Sequence, residues 1–348
     1  MKKVLVLGAT GAMGRYLVPE LIDLGYTVTG VGLEEKAPWT LDASYVQGNA
    51  FDKEFLAGLL KESFDGIVNF MDYGKYAFSD YYKLFLENTE HYIFLSSCRV
   101  YDDKEQPIKE TSPRLWDSSE DEVLKASHDY CIHKAQAEDM LMASPYDNFT
   151  IVRPATTFST MRLQLVTLEF KDSIARALMG KKVVLPIQAK DKPATLSWGG
   201  DVAKMIARIL FKEEARREVY NVCSAEHRTW EEIAAYYHDL VGLEAVWVDK
   251  EDYLKILSPE GNINVRWQLE YARLFHRITD NSKVLALPVH NGLSCSAVEK
   301  SCVVVAESKE DVRNCVLLAV NIKEALVFAL EAVVGNITCK KKSVELFT

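Results

Sequence analysis

The chain has 348 residues, 48% hydrophobic and 26% charged, which excludes disorder, collagen-like repeats and a small disulfide scaffold and allows one large or two moderate cores. Forty-one basic against fifty acidic residues leave a net charge of −9, so nucleic acid and anionic membrane surfaces are repelled rather than attracted. Seven cysteines without a C-x-x-C pair suit a reducing, cytoplasmic setting and offer no metal-ligand spacing.

Residues 3–7 form a short β-branched and leucine run that fits a strand buried on both faces. The basic start Met1-Lys2-Lys3 is not read as a leader, because Gly8 and Gly11 interrupt the apolar run at once. After the glycines, Leu17, Val18, Leu21 and Ile22 fall at helical spacing, and Gly25 closes the segment. The alternation continues with a strand over 27–31, a helix over 55–60, a strand over 66–70, a helix over 81–86 and a strand over 91–96. A helix over 130–142 precedes a strand over 150–153, which Pro154 ends. Such alternation implies right-handed crossovers and a doubly wound, Rossmann-like α/β fold with a parallel sheet.

Beyond residue 155 the pattern loosens. Strands over 183–185 and 219–222, with helices over 202–211 and 230–240, suggest a second, smaller α/β substrate lobe. The expected division is therefore 1–155 for the dinucleotide and 156–348 for the substrate, with no linker between them and with 285–348 unclear in character. The apolar stretch 316–337 carries Lys323, Glu324 and Glu331, so no membrane span is expected there.

Gly8, Gly11 and Gly14 stand between strand and helix. The first permits a tight turn, the second lets backbone approach a pyrophosphate, and the third lets the helix pack closely on the strand. Amides at the helix N-terminus, around Ala12 and Met13, then face phosphate. A second pattern is Tyr130-Cys131-Ile132-His133-Lys134, with Ser97 at the end of the strand over 91–96. Spacing of four places Tyr130 and Lys134 on one helical face, where an ammonium favours the phenolate that a general base requires. A Tyr-x-x-x-Lys pair is common on solvated helices, so context has to carry the reading.

Together, Gly8-Ala9-Thr10-Gly11-Ala12-Met13-Gly14, Ser96-Ser97-Cys98-Arg99-Val100-Tyr101, Tyr130-x-x-x-Lys134, Val152-Arg153-Pro154 and Trp198-Gly199-Gly200-Asp201 resemble the extended short-chain dehydrogenase/reductase superfamily, in its NAD-dependent epimerase/dehydratase branch. The resemblance covers roughly residues 1–285. It implies Ser97, Tyr130 and Lys134 as the catalytic set, with Lys134 also holding the nicotinamide ribose. It further implies Gly8, Thr10, Gly11, Ala12, Met13, Gly14, Glu34, Asn49, Ala50, Tyr130, Lys134 and Pro154 around the cofactor. The expected substrate is a nucleotide sugar undergoing epimerisation or keto reduction, and a homodimer is usual in the family.

Three departures qualify the resemblance. Gly32 stands where an aspartate commonly binds the adenosine ribose; Glu34 or Glu35 can take that role, which favours NAD, while Lys36 keeps NADP open. Asn49 replaces an aspartate near the adenine. Cys98 and Arg99 occupy the positions of the acidic pair that sugar dehydratases use for water loss, so elimination is disfavoured. Arg99 is read equally as a salt-bridge residue or a substrate-phosphate ligand.

The competing readings are an atypical short-chain reductase acting on a non-sugar carbonyl and a non-catalytic NAD(P)-binding regulatory or RNA-associated protein. Retention of Ser97, Tyr130 and Lys134 argues against the latter. His128 and His133 are expected on an exposed helical face, with a place lining the cleft as the alternative for His133; Cys98 and Cys131 are expected as packing residues, and Trp198, Trp230, Trp247 and Trp267 as core, with a sugar-stacking platform as the alternative for one of them. Cys295, Cys302, Cys315 and Cys339 are read as small buried hydrophobes, and Lys340-Lys341-Lys342 as a solvated end.

Overall fold

The computed structural model describes residues 1–39, 43–160 and 162–288. Its first part alternates strand and helix: β1 (Lys3–Leu7), α1 (Gly14–Asp23), β2 (Thr27–Gly32), β3 (Ser44–Gln47), α2 (Lys53–Leu59), β4 (Gly66–Asn69), α3 (Gly74–Leu86) and β5 (His91–Leu95). Two short helices, α4 (Leu115–Ser118) and α5 (Glu122–Ala126), precede α6 (Tyr130–Ala143) and β6 (Phe149–Pro154). Helix starts follow local chemistry. Asp52, Asp121 and Asp129 accept hydrogen bonds from the first-turn amides of α2, α5 and α6.

The remainder comprises β7 (Thr156–Phe158), α7 (Ile174–Leu178), β8 (Val183–Pro186), β9 (Pro193–Ala194), β10 (Leu196–Trp198), α8 (Gly199–Ile209), β11 (Glu218–Val222), β12 (Arg228–Thr229), α9 (Trp230–Val241), β13 (Ala245–Val248), α10 (Lys250–Leu257), α11 (Ile263–Gln268) and α12 (Ser282–Leu285). Thr229 and Glu232 close a capping box at the start of α9, and Gly242, at φ 69°, ends that helix in the left-handed region.

Seven strands form one parallel sheet in the order β11-β6-β5-β4-β1-β2-β3. Alternate residues of each strand face opposite layers. Val4 and Val6 of β1 join Leu17, Val18 and Leu21 of α1 and Val202, Met205, Ile206 and Ile209 of α8 on one face. Leu5 and Leu7 join Leu56, Phe78, Phe85 and Leu141, from α2, α3 and α6, on the other. The sheet is thus buried on both sides, as unbroken apolar strands require, each fully buried aliphatic side chain contributing about 1.5–3 kcal/mol.

The doubly wound fold and the positions of the expected strands appear as read from the sequence. The division at residue 155 does not hold as a single cut. β11 pairs with β6 and α8 packs on α1, so residues 199–222 return to the sheet. Gly199 allows this return, since a Cβ there would lie 2.5 Å from the carbonyl oxygen of Ala12. A second core, containing Phe158, Leu185, Trp230, Tyr237, Tyr253 and Leu269, belongs to the smaller lobe, where β8 and β13 pair in parallel. Trp198, Trp230, Trp247 and Trp267 serve as core or core-flanking residues, as expected. No helix among the described residues is long and apolar enough to cross a membrane. The expectations for Cys295, Cys302, Cys315, Cys339 and Lys340-Lys341-Lys342 lie outside the described residues.

Candidate active site

The strand order reverses between β1 and β4, and the crevice beyond their carboxyl ends is where open α/β sheets bind ligands. Gly8 ends β1 at φ +75°, a conformation that favours glycine. A Cβ on Gly14 would lie 2.5 Å from the Gly8 oxygen and 2.7 Å from the Ala9 Cα, so this glycine seats α1 on the turn. A Cβ on Gly11 would have one near neighbour, the Gly8 oxygen at 3.2 Å. Its other surroundings are open, as a close approach to pyrophosphate requires.

A cavity of about 410 Å³ lies over this turn. All of the expected cofactor residues line it: Gly8, Thr10, Gly11, Ala12, Met13, Gly14, Glu34, Asn49, Ala50, Tyr130, Lys134 and Pro154. At the far end, the Glu34 carboxyl is held below its usual range by a hydrogen bond from the Thr10 side chain and by backbone amides. A Cβ on Gly32 would lie 2.7 Å from the Thr10 side chain, so glycine at this position makes room for that contact. A charged carboxylate here accepts hydrogen bonds from a ribose diol and repels a 2′-phosphate. The Asn49 Oδ1 accepts from the Phe51 amide, which leaves the Asn49 amide group for a base. The cradle therefore fits NAD.

A second cavity of about 550 Å³ adjoins the first. Ser97, Tyr130, Asp72 and Pro154 line both. Ser97 follows β5, and its Oγ accepts from the Arg99 amide at 3.1 Å. Tyr130 opens α6 and is partly exposed. Lys134, one turn on, is 2% exposed; its Nζ lies 5.6 Å from the centre of the Tyr130 ring and donates to the Leu95 carbonyl at 2.8 Å. The structure thus brings together Ser97, Tyr130 and Lys134 at the junction of the two cavities.

Sequence reasoning missed Asp72. Three residues beyond β4, its Oδ1 lies 3.2 Å from Lys134 Nζ and 2.9 Å from His133 Nε2. Burial raises the pKa of this carboxyl, but the hydrogen bond from His133 and the charge of Lys134 outweigh it and hold the group well below the usual carboxylate range. The available signal was an acid directly after an apolar strand, sixty residues from its partners. His133 is a correction. Instead of lying on an exposed face it is 9% exposed, bonded to Asp72, with its ring edge-on to Tyr130 at 5.4 Å. Helix α6 is buried around most of its circumference, so periodicity does not separate its faces.

Arg99 makes an ion pair with Asp129 at 3.0 Å and lies 5.4 Å from the Tyr130 ring. Cys98 and Cys131 are buried packing residues, and burial pushes the Cys98 thiol up to about 12. Beneath Ser97 lies a buried network. Glu138 accepts from Ser96 Oγ at 2.5 Å and from Arg153 Nη2 at 2.6 Å, while Arg153 Nη1 donates to Tyr101 Oη, which donates to Asn221. Burial of Glu138 is outweighed by the adjacent Arg153 charge, so its pKa is lowered. Paired ions and satisfied hydroxyls leave the ends of β5 and β6 little freedom.

Fold and cradle are those of an NAD-dependent enzyme of the extended short-chain dehydrogenase type. The chain belongs to the NAD dependent epimerase/dehydratase family, whose model matches residues 4–223. It is similar in structure to a UDP-glucuronic acid 4-epimerase from Bacillus cereus solved with UDP-glucuronic acid and NAD, at TM-score 0.61 and 15% identity over 90% of this chain and 98% of that one. A UDP-glucose 4-epimerase from Thermus thermophilus in complex with NAD gives TM-score 0.60 and 17% identity over 91% and 98%. An epimerase from Methanothermobacter thermautotrophicus gives 0.61 and 16% over 90% and 94%. At such identities the likeness shows the fold. No curated protein matches this chain.

Proposed function

We propose that the protein is a nucleotide-sugar epimerase or keto-reductase in which Tyr130 exchanges the proton of the reacting hydroxyl. The observation that carries this reading is that Ser97 and Tyr130 line both cavities while the buried Lys134 ammonium faces the Tyr130 ring from the cofactor side. NAD held by Gly8, Gly11, Glu34 and Asn49 supplies a two-electron hydride acceptor and donor. Tyr130 removes or returns the hydroxyl proton, and Lys134 stabilises the phenolate by charge at short range. Ser97 fixes the substrate oxygen beside Tyr130. Asp72 ties Lys134 and His133 into one cluster next to the phenol.

Elimination of water has no support at the two positions after Ser97. Cys98 is buried with its thiol pushed up to about 12, and Arg99 is a cation, so neither supplies an acid and base pair near neutral pH. In this reading the sheet unit carries the cofactor and the smaller lobe covers the sugar. Tyr130→Phe tests it. The variant retains NADH binding, read by fluorescence, and loses at least about a hundredfold in turnover of a nucleotide sugar. An undiminished rate removes Tyr130 from its proposed role.

A further inference from the structure

The substrate-side cavity contains an unusual concentration of positive charge for a chain of net charge −9. Four guanidiniums, Arg99, Arg162, Arg273 and Arg277, line it against the carboxylates of Asp72 and Asp129. Arg99 is matched by Asp129, and Arg162 by Glu169 at 3.4 Å. Neither Arg273 nor Arg277 has an ion pair among the described residues.

Arg273 is 7% exposed. Its Nε donates to the Val166 carbonyl at 2.8 Å, the Thr156 and Gln164 side chains take its other nitrogens, and the guanidinium lies 5.9 Å from the centre of the Trp230 ring. Arg277 donates through Nη2 to the Tyr271 carbonyl at 3.0 Å, while its Nη1 is buried with no hydrogen-bond partner. Burial first, and then the charges of Arg99, Arg162 and Arg277, press the pKa of Arg273 down to about 9. An unpaired buried cation is costly, and like charges add to the cost.

The backbone is irregular on both sides of this pair. Val166 sits at φ 55°, a conformation that a β-branched residue rarely adopts, and its carbonyl meets Arg273. Residues Leu269–Arg273 form a π-turn at the end of α11. The fold therefore holds two guanidiniums against the rings of Trp230 and Phe275 with no carboxylate in direct contact with either among the described residues. An anionic ligand group would compensate their charge.

The position of the cluster narrows the kind of anion. Arg99 is two residues from Ser97 and 5.4 Å from the Tyr130 ring, and its charge acts on both Arg273 and Arg277. Arg99, paired with Asp129, thus stands between Tyr130 and the two arginines that have no ion pair. We propose that Arg99, Arg273 and Arg277 form a receptor for a carboxylate carried on the reacting ring of the substrate, so that the sugar is a uronic acid. This deepens the proposed function and rests on it. The planar guanidinium fork suits a carboxylate, and Arg277, which lines the cavity, keeps its buried Nη1 without a hydrogen-bond partner.

The test is calorimetric titration of the full chain, saturated with NAD, with UDP-glucuronate, UDP-glucose and UDP. UDP-glucuronate is expected to bind at least tenfold more tightly than UDP-glucose. In Arg277→Gln the two sugars are expected to bind within threefold of each other, with Arg277→Lys intermediate. Equal affinities in the parent chain overturn the proposal, and so does a variant that weakens UDP by the same factor as UDP-glucuronate, because the guanidinium then reads the diphosphate. The parent comparison needs no variant to fold. Thermal stabilisation by free glucuronate over glucose supplies a separate arm. Stabilisation that is lost in Arg277→Gln, without binding of any UDP compound, keeps the carboxylate receptor and discards the nucleotide-sugar reading; no stabilisation and no binding discards both.

Discussion

The glycines of the β1–α1 turn allow folding and cofactor binding to be perturbed separately. Alanine at Gly14 would place a methyl carbon 2.5 Å from the Gly8 oxygen and 2.7 Å from the Ala9 Cα and carbonyl oxygen. These are backbone atoms of the turn that follows β1, with no flexible side chain to give way. Overpacking of this kind costs about 1–3 kcal/mol, and rigid neighbours place it near the upper end. The better helix propensity of alanine returns up to about 1 kcal/mol, leaving a net loss of about 2 kcal/mol. For a chain of 348 residues that corresponds to a fall of about 3 °C in Tm. Alanine at Gly11 meets only the Gly8 oxygen, at 3.2 Å, and Gly11 has no positive φ to forbid it. Its methyl group instead occupies the surface reserved for pyrophosphate. Thermal unfolding of each variant, with and without NADH, separates the two effects. Gly14→Ala unfolds a few degrees early; Gly11→Ala unfolds near the parent temperature but loses at least tenfold in NADH affinity, about 1.4 kcal/mol. Parent-like NADH binding by Gly11→Ala refutes the assignment of this turn as the pyrophosphate seat.

Two further predictions concern buried charge. His91 accepts the Phe211 amide on Nδ1, and its Nε2 donates to Thr150, whose hydroxyl donates to the Ala215 carbonyl, so the ring is neutral with both nitrogens engaged. Burial, then the charges of Arg216 and Lys2, lowers its pKa to about 3. The unfolded chain takes up this proton below about pH 6.5 and the folded chain does not, so stability is complete above that pH and falls beneath it. Between pH 6.5 and pH 5 the loss is about 2 kcal/mol, seen as a drop in Tm that His91→Gln largely removes; an equal drop in both proteins refutes it. Glu138→Gln leaves Arg153 buried beside a neutral amide and is expected to cost about 3–5 kcal/mol in denaturant unfolding, whereas an unchanged midpoint would show that the network contributes nothing.

Much of the fold was legible because its central strands are continuous apolar runs that nothing but burial explains. β1, β2, β4, β5, β6 and β11 all stand within a residue or two of their expected positions. β3 escaped because Ser44-Tyr45-Val46-Gln47 is a half-exposed edge strand, pinned by pairing with β2 rather than by its own hydrophobicity. The early start of α3 escaped because Gly74 opens it, well ahead of the apolar residues at 81–86. At the site, Ser97, Tyr130 and Lys134 were readable because their spacing is local. Asp72, Arg273 and Arg277 reach the same cleft only through the folding of distant segments, and no interval in the chain announces that meeting.

The contact between Gly199 and the Ala12 carbonyl has a consequence for any attempt to dissect the molecule. A fragment stopped at residue 155 would retain every glycine of the nucleotide turn yet lose the outermost strand beside β6 and the helix that shields α1. Valines and isoleucines on the sheet would then meet water. The dinucleotide half is therefore not a portable module that can be grafted elsewhere, and shuffling of lobes between relatives would have to carry residues 199–222 along with the N-terminal segment.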